Sequence, residues 1–293
     1  MKPAPFKYFA PTTVEEALVH LAEYGDEAKI LAGGQSLVPT MNFRLARPSA
    51  LIDLNRIEEL FFIEKEKSAG LRIGAMTRQR KVERSKLIAE KAPLIHEAMP
   101  YIAHPQIRNR GTVGGSLAHA DPAAELPAVM LALDAQFLLR GQKGERTIAA
   151  KEFFIDLFFT ALEPDELLVE IKLPSLPKRT GWAFCEIARR HGDFALVGAA
   201  AVVTLDTKSH CKEARIVLMS VGNGPIQAAQ AQQRLIGQKP TQGAIRAAAD
   251  LAAEKDIDPP SDMHASVEYR RHLAKVLTER ALTQAFERAS TTT

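Results

Sequence analysis

Two pairs of adjacent glycines, each leading into a polar residue, constrain this chain more than any other feature. The first lies in "KILAGGQSLVPTMNFRLARP", Lys29 to Pro48. The apolar "ILA" reads as the end of a buried strand, and Gly33-Gly34 lets the backbone turn sharply. Ser36 is placed to cap a helix through Leu37, Met41 and Leu45, with Pro39 in its first turn and Pro48 beyond its end. Such a turn leaves N–H groups pointing outward at a helix start, which is the geometry of an anion site. One glycine pair alone is more often an ordinary tight turn. The second pair, in "IRNRGTVGGSLAHADPAAELP" from Ile107 to Pro127, changes that balance. Gly111, Gly114 and Gly115, flanked by Thr112 and Ser116, leave out side chains where a backbone would approach a ligand closely. Two such loops suit the two phosphates of a dinucleotide. Neither is G-x-G-x-x-G, and no G-x-x-x-x-G-K-[ST] occurs, so the sequence carries neither the Rossmann fingerprint nor a P-loop.

Composition narrows the function classes. A chain of 293 residues holds two domains, or one large domain with subdomains. It is 46% hydrophobic and 25% charged, with a formal net charge of +3, which gives no reason to expect nucleic-acid binding. No apolar run approaches the ~18 residues that would span a bilayer. The start, "MKPAPFKYFAP", lacks an apolar signal core, so a cytoplasmic protein is expected. Cys185 and Cys211 are not in C-x-x-C spacing and are too few for an iron–sulfur cluster; both read as buried thiols. His104, His119 and Asp121 include an H-x-D pair, but no further ligand cluster accompanies it and it is not taken as a metal site. H-E-x-x-H and G-x-S-x-G are both missing.

Periodicity gives an α+β fold. "PTTVEEALVHLAEYGDEAKILAGG" reads as a helix and then a strand, with Thr13 and Glu16 as a capping box and Gly25 as the stop. With the strand "ALIDLNRI" this makes an N-terminal unit of residues 1–56. A hairpin turning at Ser68-Ala69-Gly70, a helix around Ile88 to Ala98, a helix from about Leu126 to Leu133, a hairpin through "GQKG" and an alternating strand "ELLVEIKLP" fill residues 57–175. "SLPKRTG" marks a boundary. Residues 176–293 read as an antiparallel sheet of "WAFCEIARR", "ALVGAAAVVTLD" and "EARIVLMSVG", followed by three helices. The last helix carries Val267, Leu273, Val276, Leu277, Ala281 and Leu282 near one face, and its stripe of Arg270, Arg271 and Lys275 reads as solvated.

Five motifs in order give a resemblance over nearly the whole chain: "AGGQSL", "TVGGSLAHADPAAELP", "DELLVEIKLP", "ARRHGDFALVGAA" and "HASVEYRRHLAKVLTERAL". Together they resemble the FAD-binding medium subunit of the molybdenum hydroxylases, of the carbon monoxide dehydrogenase and xanthine dehydrogenase type. The resemblance implies a vanillyl-alcohol-oxidase-like FAD-binding domain over 1–175 and a C-terminal flavoprotein domain over 176–293. It implies that both glycine loops hold the FAD pyrophosphate through backbone N–H groups. The implied cofactor residues are Lys29, Ala32, Gly33, Gly34, Gln35, Ser36 and Leu37 in the first segment and Ile102, Ile107, Gly111, Thr112, Gly114, Gly115, Ser116, Asp121 and Glu125 in the second. Leu168, on the strand after Asp165, is expected to pack on the flavin. Where many relatives have a lysine just before the Arg-Arg pair, this chain has Cys185, Glu186 and Ile187, which leaves the charge near the flavin open. Arg189 and Arg190 read equally as flavin-facing cations or as surface charges, and Phe194 as a ring neighbour or a plain core residue. No catalytic acid–base pair is expected, because the flavin would carry the chemistry. The implied unit is a heterotrimer with a large molybdopterin subunit and a small [2Fe-2S] subunit, passing electrons to an external acceptor. The readings kept beside it are a self-contained flavin reductase or oxidase, and a nucleotide-binding assembly subunit without turnover.

Overall fold

The computed structural model describes residues 1–66 and 70–291, in which helices and strands are mixed as an α+β fold. The N-terminal unit runs β1 (Lys7–Phe9), α1 (Val14–Tyr24), β2 (Ala28–Leu31), α2 (Leu37–Asn42) and β3 (Ala50–Asp53). Its strands lie parallel in the order β1-β3-β2, so each connection must cross over, and a helix makes the crossing. Thr13 caps α1 by accepting from the Glu16 N–H, and Gly25 ends the helix at a φ of 50°. The return arm of the capping box goes one residue further back, from the Thr12 N–H to Glu16 Oε2 at 2.7 Å. Val14, Ala17, Leu18 and Leu21 bury one face of α1 against this sheet.

The middle unit holds β4 (Ile63–Lys65), β5 (Leu71–Gly74), α3 (Gln79–Glu83), α4 (Lys86–Lys91), α5 (Pro93–Ala98), α6 (Pro105–Arg110), α7 (Val113–His119), α8 (Glu125–Ala132), β6 (Gln136–Gly141), β7 (Gly144–Ala149), α9 (Ala150–Phe153), β8 (Phe154–Asp156), β9 (Phe159–Thr160) and β10 (Glu166–Leu173). Five strands form an antiparallel sheet in the order β4-β5-β10-β6-β7, and β8-β9 is a separate hairpin. The expected β4–β5 turn at Ser68-Ala69 lies outside the described residues. The helix expected from Ile88 to Ala98 is two helices, because Pro93 cannot donate to the turn before it and starts a new helix instead. Both faces of β10 are covered, and its expected alternation breaks at a bulge between Leu168 and Glu170. Leu167 and Val169 join the N-terminal core, while Leu168, Ile171 and Leu173 join the middle one.

The C-terminal unit is the sheet β11 (Thr180–Ala188), β12 (Ala195–Leu205), β13 (Cys211–Met219) and β14 (Ile226–Gln227), followed by α10 (Ala229–Leu235), α11 (Gln242–Glu254) and α12 (Val267–Thr291). Every residue of β12 is buried. One face packs on α12 through Ala199, Ala201 and Val203, and the other joins the middle core through Ala200 and Val202. That two-sided burial explains the unbroken apolar run "ALVGAAAVV". Two expectations fail here. Arg270 is 4% exposed rather than solvated: it donates to the carbonyls of Leu196 and Ser220 and to Asp262 Oδ2 at 2.5, 3.1 and 2.6 Å. Cys185 is only partly buried, while Cys211 is buried. Among the described residues no helix is long and apolar enough to cross a membrane.

Candidate cofactor site

A cleft of about 830 Å³ opens between the end of β2, the segment from Ile102 to Glu125, the β8–β9 hairpin and the loop before β12. Its first wall is the turn after β2. Gly34 has a φ of 73°, a conformation open to glycine and costly for other residues. Among the described residues, none accepts a hydrogen bond from the backbone N–H of Gly33, Gly34, Gln35, Ser36 or Leu37. All five line the cleft. A run of open N–H groups in a concave wall is an anion nest, matched to the oxygens of a diphosphate. Ser36 departs from its expected role: its own backbone is helical, its side chain makes no capping bond, and α2 ends at Asn42, leaving Leu45 81% exposed.

The second wall is built differently from expectation. The glycine pair Gly114-Gly115 lies inside the first turn of α7, and its donors are used within the chain. Val113 and Gly114 donate to the carbonyls of Thr77 and Ala75 at 3.0 and 2.8 Å. Gly115 donates to Thr112 Oγ1, the N-cap, at 3.1 Å, and Ser116 to the Thr112 carbonyl at 3.3 Å. The missing side chains serve close packing instead. A Cβ on Gly114 would fall 2.6 Å from the Ala75 Cβ, and one on Gly115 2.6 Å from Thr112 Oγ1. The two walls are tied together by Asn55, which donates to the Ala32 carbonyl at 3.0 Å, and by Arg78, which donates to Asn55 Oδ1 and to the Arg110 carbonyl.

The fold brings most of the expected residues to this cleft. Lys29, Ala32, Ile102, Ile107, Gly111, Thr112, Gly115, Ser116, Asp121 and Glu125 line it together with the Gly33–Leu37 turn. Two lie off its wall: Gly114 packs on Ala75, and Leu168 sits in the middle core. Asp121 turns back to accept from the Ala123 N–H at 2.9 Å. His104 lies beneath Gly192 and near His191, and the His119 ring packs on Phe158, their centroids 5.0 Å apart. Phe194 is no core residue: it is 72% exposed at the cleft. Arg189 and Arg190 are both exposed and do not line the cleft; Arg189 meets His264 Nδ1 at 2.7 Å.

Sequence reasoning missed Gln79, the hairpin residues Phe158 and Thr160, and Leu162, Glu163 and Pro164 just after the hairpin, all of which line the cleft. Gln79 is buried beside Gly111, and its Oε1 has no hydrogen-bond partner among the described residues. The hairpin had the run "FFIDLFFT", which is too apolar for an ordinary exposed turn.

The electrostatics of the cleft centre on Glu125. It is 8% exposed, and burial pushes its carboxyl up to about 7, with Asp121 adding to the rise. Glu186, which does not line the cleft, is pushed up to about 9 by burial and by the Glu125 charge. Arg108, whose charge opposes that rise, is committed to both Glu83 oxygens at 3.0 and 3.1 Å and to the Ile102 carbonyl at 2.7 Å.

Residues 4–176 match the family described as the FAD binding domain in molybdopterin dehydrogenase, and residues 182–285 match the CO dehydrogenase flavoprotein C-terminal domain. The chain is 48% identical to the 6-hydroxypseudooxynicotine dehydrogenase complex subunit alpha of Paenarthrobacter nicotinovorans, over 100% of this chain and 98% of that one. It is 42% identical to the caffeine dehydrogenase subunit beta of Pseudomonas sp. (strain CBB1), over 98% and 97%. Among solved structures, the carbon monoxide dehydrogenase of Hydrogenophaga pseudoflava superposes with a TM-score of 0.95 at 40% identity, covering 98% of this chain and 99% of that chain.

Proposed function

The chain belongs to the FAD-binding family of the molybdopterin dehydrogenases, and we propose that it is the electron-transfer subunit of such an enzyme. In this reading it takes electrons from [2Fe-2S] clusters on a small partner subunit. Those electrons originate at a molybdopterin centre on a large partner subunit and leave this chain for an external acceptor. When bound, FAD supplies the redox chemistry. The chain's own residues bind it, orient it and wall it from water.

The observation that carries the proposal is the open N–H run from Gly33 to Leu37 on the wall of a cleft large enough for a dinucleotide. Gly33 to Leu37 would hold the diphosphate. Thr112, Gly115 and Ser116 would wall it from the other side, and Ile102 and Ile107 would supply apolar contact. We assign residues 1–175 to this FAD domain and 176–293 to the C-terminal flavoprotein domain. Ile155, Leu157, Phe158 and Phe159 expose apolar surface on the hairpin bordering the cleft, which supports a subunit contact there. The relatives' names carry substrates as unlike as caffeine and carbon monoxide at 42% and 40% identity. That spread supports a shared electron-transfer part, with the substrate read on another chain.

The test is reduction of the bound flavin. FAD on the isolated chain should stay oxidised with NAD(P)H and become reduced by substrate once the large and small subunits are coexpressed. Rapid direct reduction of the isolated chain by NAD(P)H would favour a self-contained flavin reductase.

A further inference from the structure

Asn55 stands behind the first wall of the cleft and does not line it. The parallel strands β2 and β3 pair as far as Leu31 with Asp53. Beyond that rung the chain makes a single 3-10 turn, Leu54–Arg56, capped by the Asp53 carboxylate, which accepts from the Asn55 N–H at 2.9 Å. The turn brings the Asn55 side chain to the carbonyl that follows β2, and its Nδ2 donates to the Ala32 oxygen at 3.0 Å. The carboxamide is oriented from both ends. Nδ2 also donates to Asp53 Oδ1, and Oδ1 accepts from Arg78 Nη2. A carboxylate at one end and a guanidinium at the other leave only one way round for the amide. Asp53 in turn accepts from the Tyr8 hydroxyl at 2.6 Å, and Arg78 also donates to the Arg110 carbonyl of the opposite wall.

The Ala32 carbonyl shares its peptide unit with the Gly33 N–H. In a trans peptide the two point opposite ways, and no cis bond occurs among the described residues. Gly33 lines the cleft and Asn55 does not, so drawing the Ala32 oxygen back to Asn55 turns the Gly33 N–H to the cleft side. The next two units are held in the same manner. Gln35 Nε2 donates to the Gly33 carbonyl at 2.9 Å, which sets the Gly34 N–H, and the Val38 N–H donates to the Gly34 carbonyl at 3.1 Å, which sets the Gln35 N–H. Of these three clamps only Asn55 comes from outside the segment, and a glycine at 33 leaves the first peptide free to rotate without it. We infer that Asn55 is a positioning residue for the cofactor, aiming the first N–H of the nest at the diphosphate without touching it. The inference rests on the FAD reading above. An apolar side chain at position 55 would free the Ala32 carbonyl to turn into the cleft. There it would face the phosphate oxygens as one acceptor against another.

Asn55→Leu tests this, because it keeps the size of the side chain and adds no charge. In a flavin-fluorescence titration the variant should bind FAD about 10- to 100-fold more weakly than wild type, the loss of one hydrogen bond to a charged group. Riboflavin, which has no phosphate, should bind the two chains alike. Unchanged FAD affinity, or an equal loss for FAD and riboflavin, overturns the inference. The wild-type chain gives a second test that needs no variant. On addition of FAD the Gly33 amide proton should move downfield in the NMR spectrum. A Gly33 resonance that ignores bound FAD overturns the inference and leaves the FAD reading standing. A wild-type chain that never binds FAD overturns the FAD reading, and this inference with it.

Discussion

Gly33 rests directly on the far wall of the cleft: a Cβ there would fall 2.6 Å from the Arg110 carbonyl oxygen and 2.8 Å from the Gly111 Cα. The first glycine is therefore a spacer between two backbones, and the second, Gly34, makes the turn. Gly33→Val forces backbone apart, which no side-chain rotation relieves. It should both lower the melting temperature and abolish FAD binding. Gly34→Ala costs about 1–2 kcal/mol for the left-handed conformation, and its Cβ would press on the movable side-chain ends of Leu31 and Val38 at 3.0 and 3.2 Å. It should stay folded and bind FAD more weakly. Thermal melts alongside FAD titrations separate the two, and a stable, FAD-binding Gly33→Val chain would contradict this packing.

Thr112 and Ser116 should behave differently although both are hydroxyl residues beside the glycine pair. Thr112 caps α7, so Thr112→Ala should cost about 1 kcal/mol of stability, a fall of about 2–4 °C in a chain of this size, with some loss of FAD affinity. Ser116 caps nothing, so Ser116→Ala should leave the melt unchanged and weaken FAD by about 0.5–1.5 kcal/mol at most. Equal losses of stability in the two variants would argue against the capping assignment.

Much of the frame was legible in the sequence because it is local. The Thr13 cap, the Gly25 stop, the "GQKG" hairpin and the strands of the C-terminal sheet each depend on neighbours within a few residues. What escaped depends on distant chain. Arg270 has helical spacing beside Arg271 and Lys275, and only the approach of the Leu196 and Ser220 carbonyls makes it a buried anchor. The pair Gly114-Gly115 looks like a second phosphate loop until the Thr77 and Ala75 carbonyls are seen to consume its donors. The cleft wall at Phe158 and Gln79 exists only through tertiary contact.

Arg270 yields its own prediction. Arg270→Met leaves the carbonyls of Leu196 and Ser220 without their donor and Asp262 without its ion pair. Each unsatisfied buried group costs about 1–3 kcal/mol, so the variant should lose about 3 kcal/mol. Urea denaturation should show the loss, and a shift within error would contradict the anchor role.

Glu186 predicts a stability that falls with pH. Its folded pKa, about 9, lies above the unfolded carboxylate value, so between the two the folded state binds the extra proton. Stability from this group is therefore full below the unfolded value and declines as pH rises toward 9. Glu186→Gln removes that slope. The variant should gain thermal stability over wild type progressively from pH 5 to pH 9, by about 2–4 °C for each kcal/mol relieved. A gain that is largest at low pH would contradict the burial of a protonated carboxyl.

The central claim, that this cleft is built for a flavin dinucleotide, is tested most directly by titrating the cofactor-free chain with FAD and, separately, with FMN, following flavin fluorescence. The Gly33–Leu37 nest predicts saturable binding of one FAD per chain and much weaker binding of FMN, which lacks the diphosphate bridge. Failure to bind FAD, or equal affinity for FMN, would contradict it.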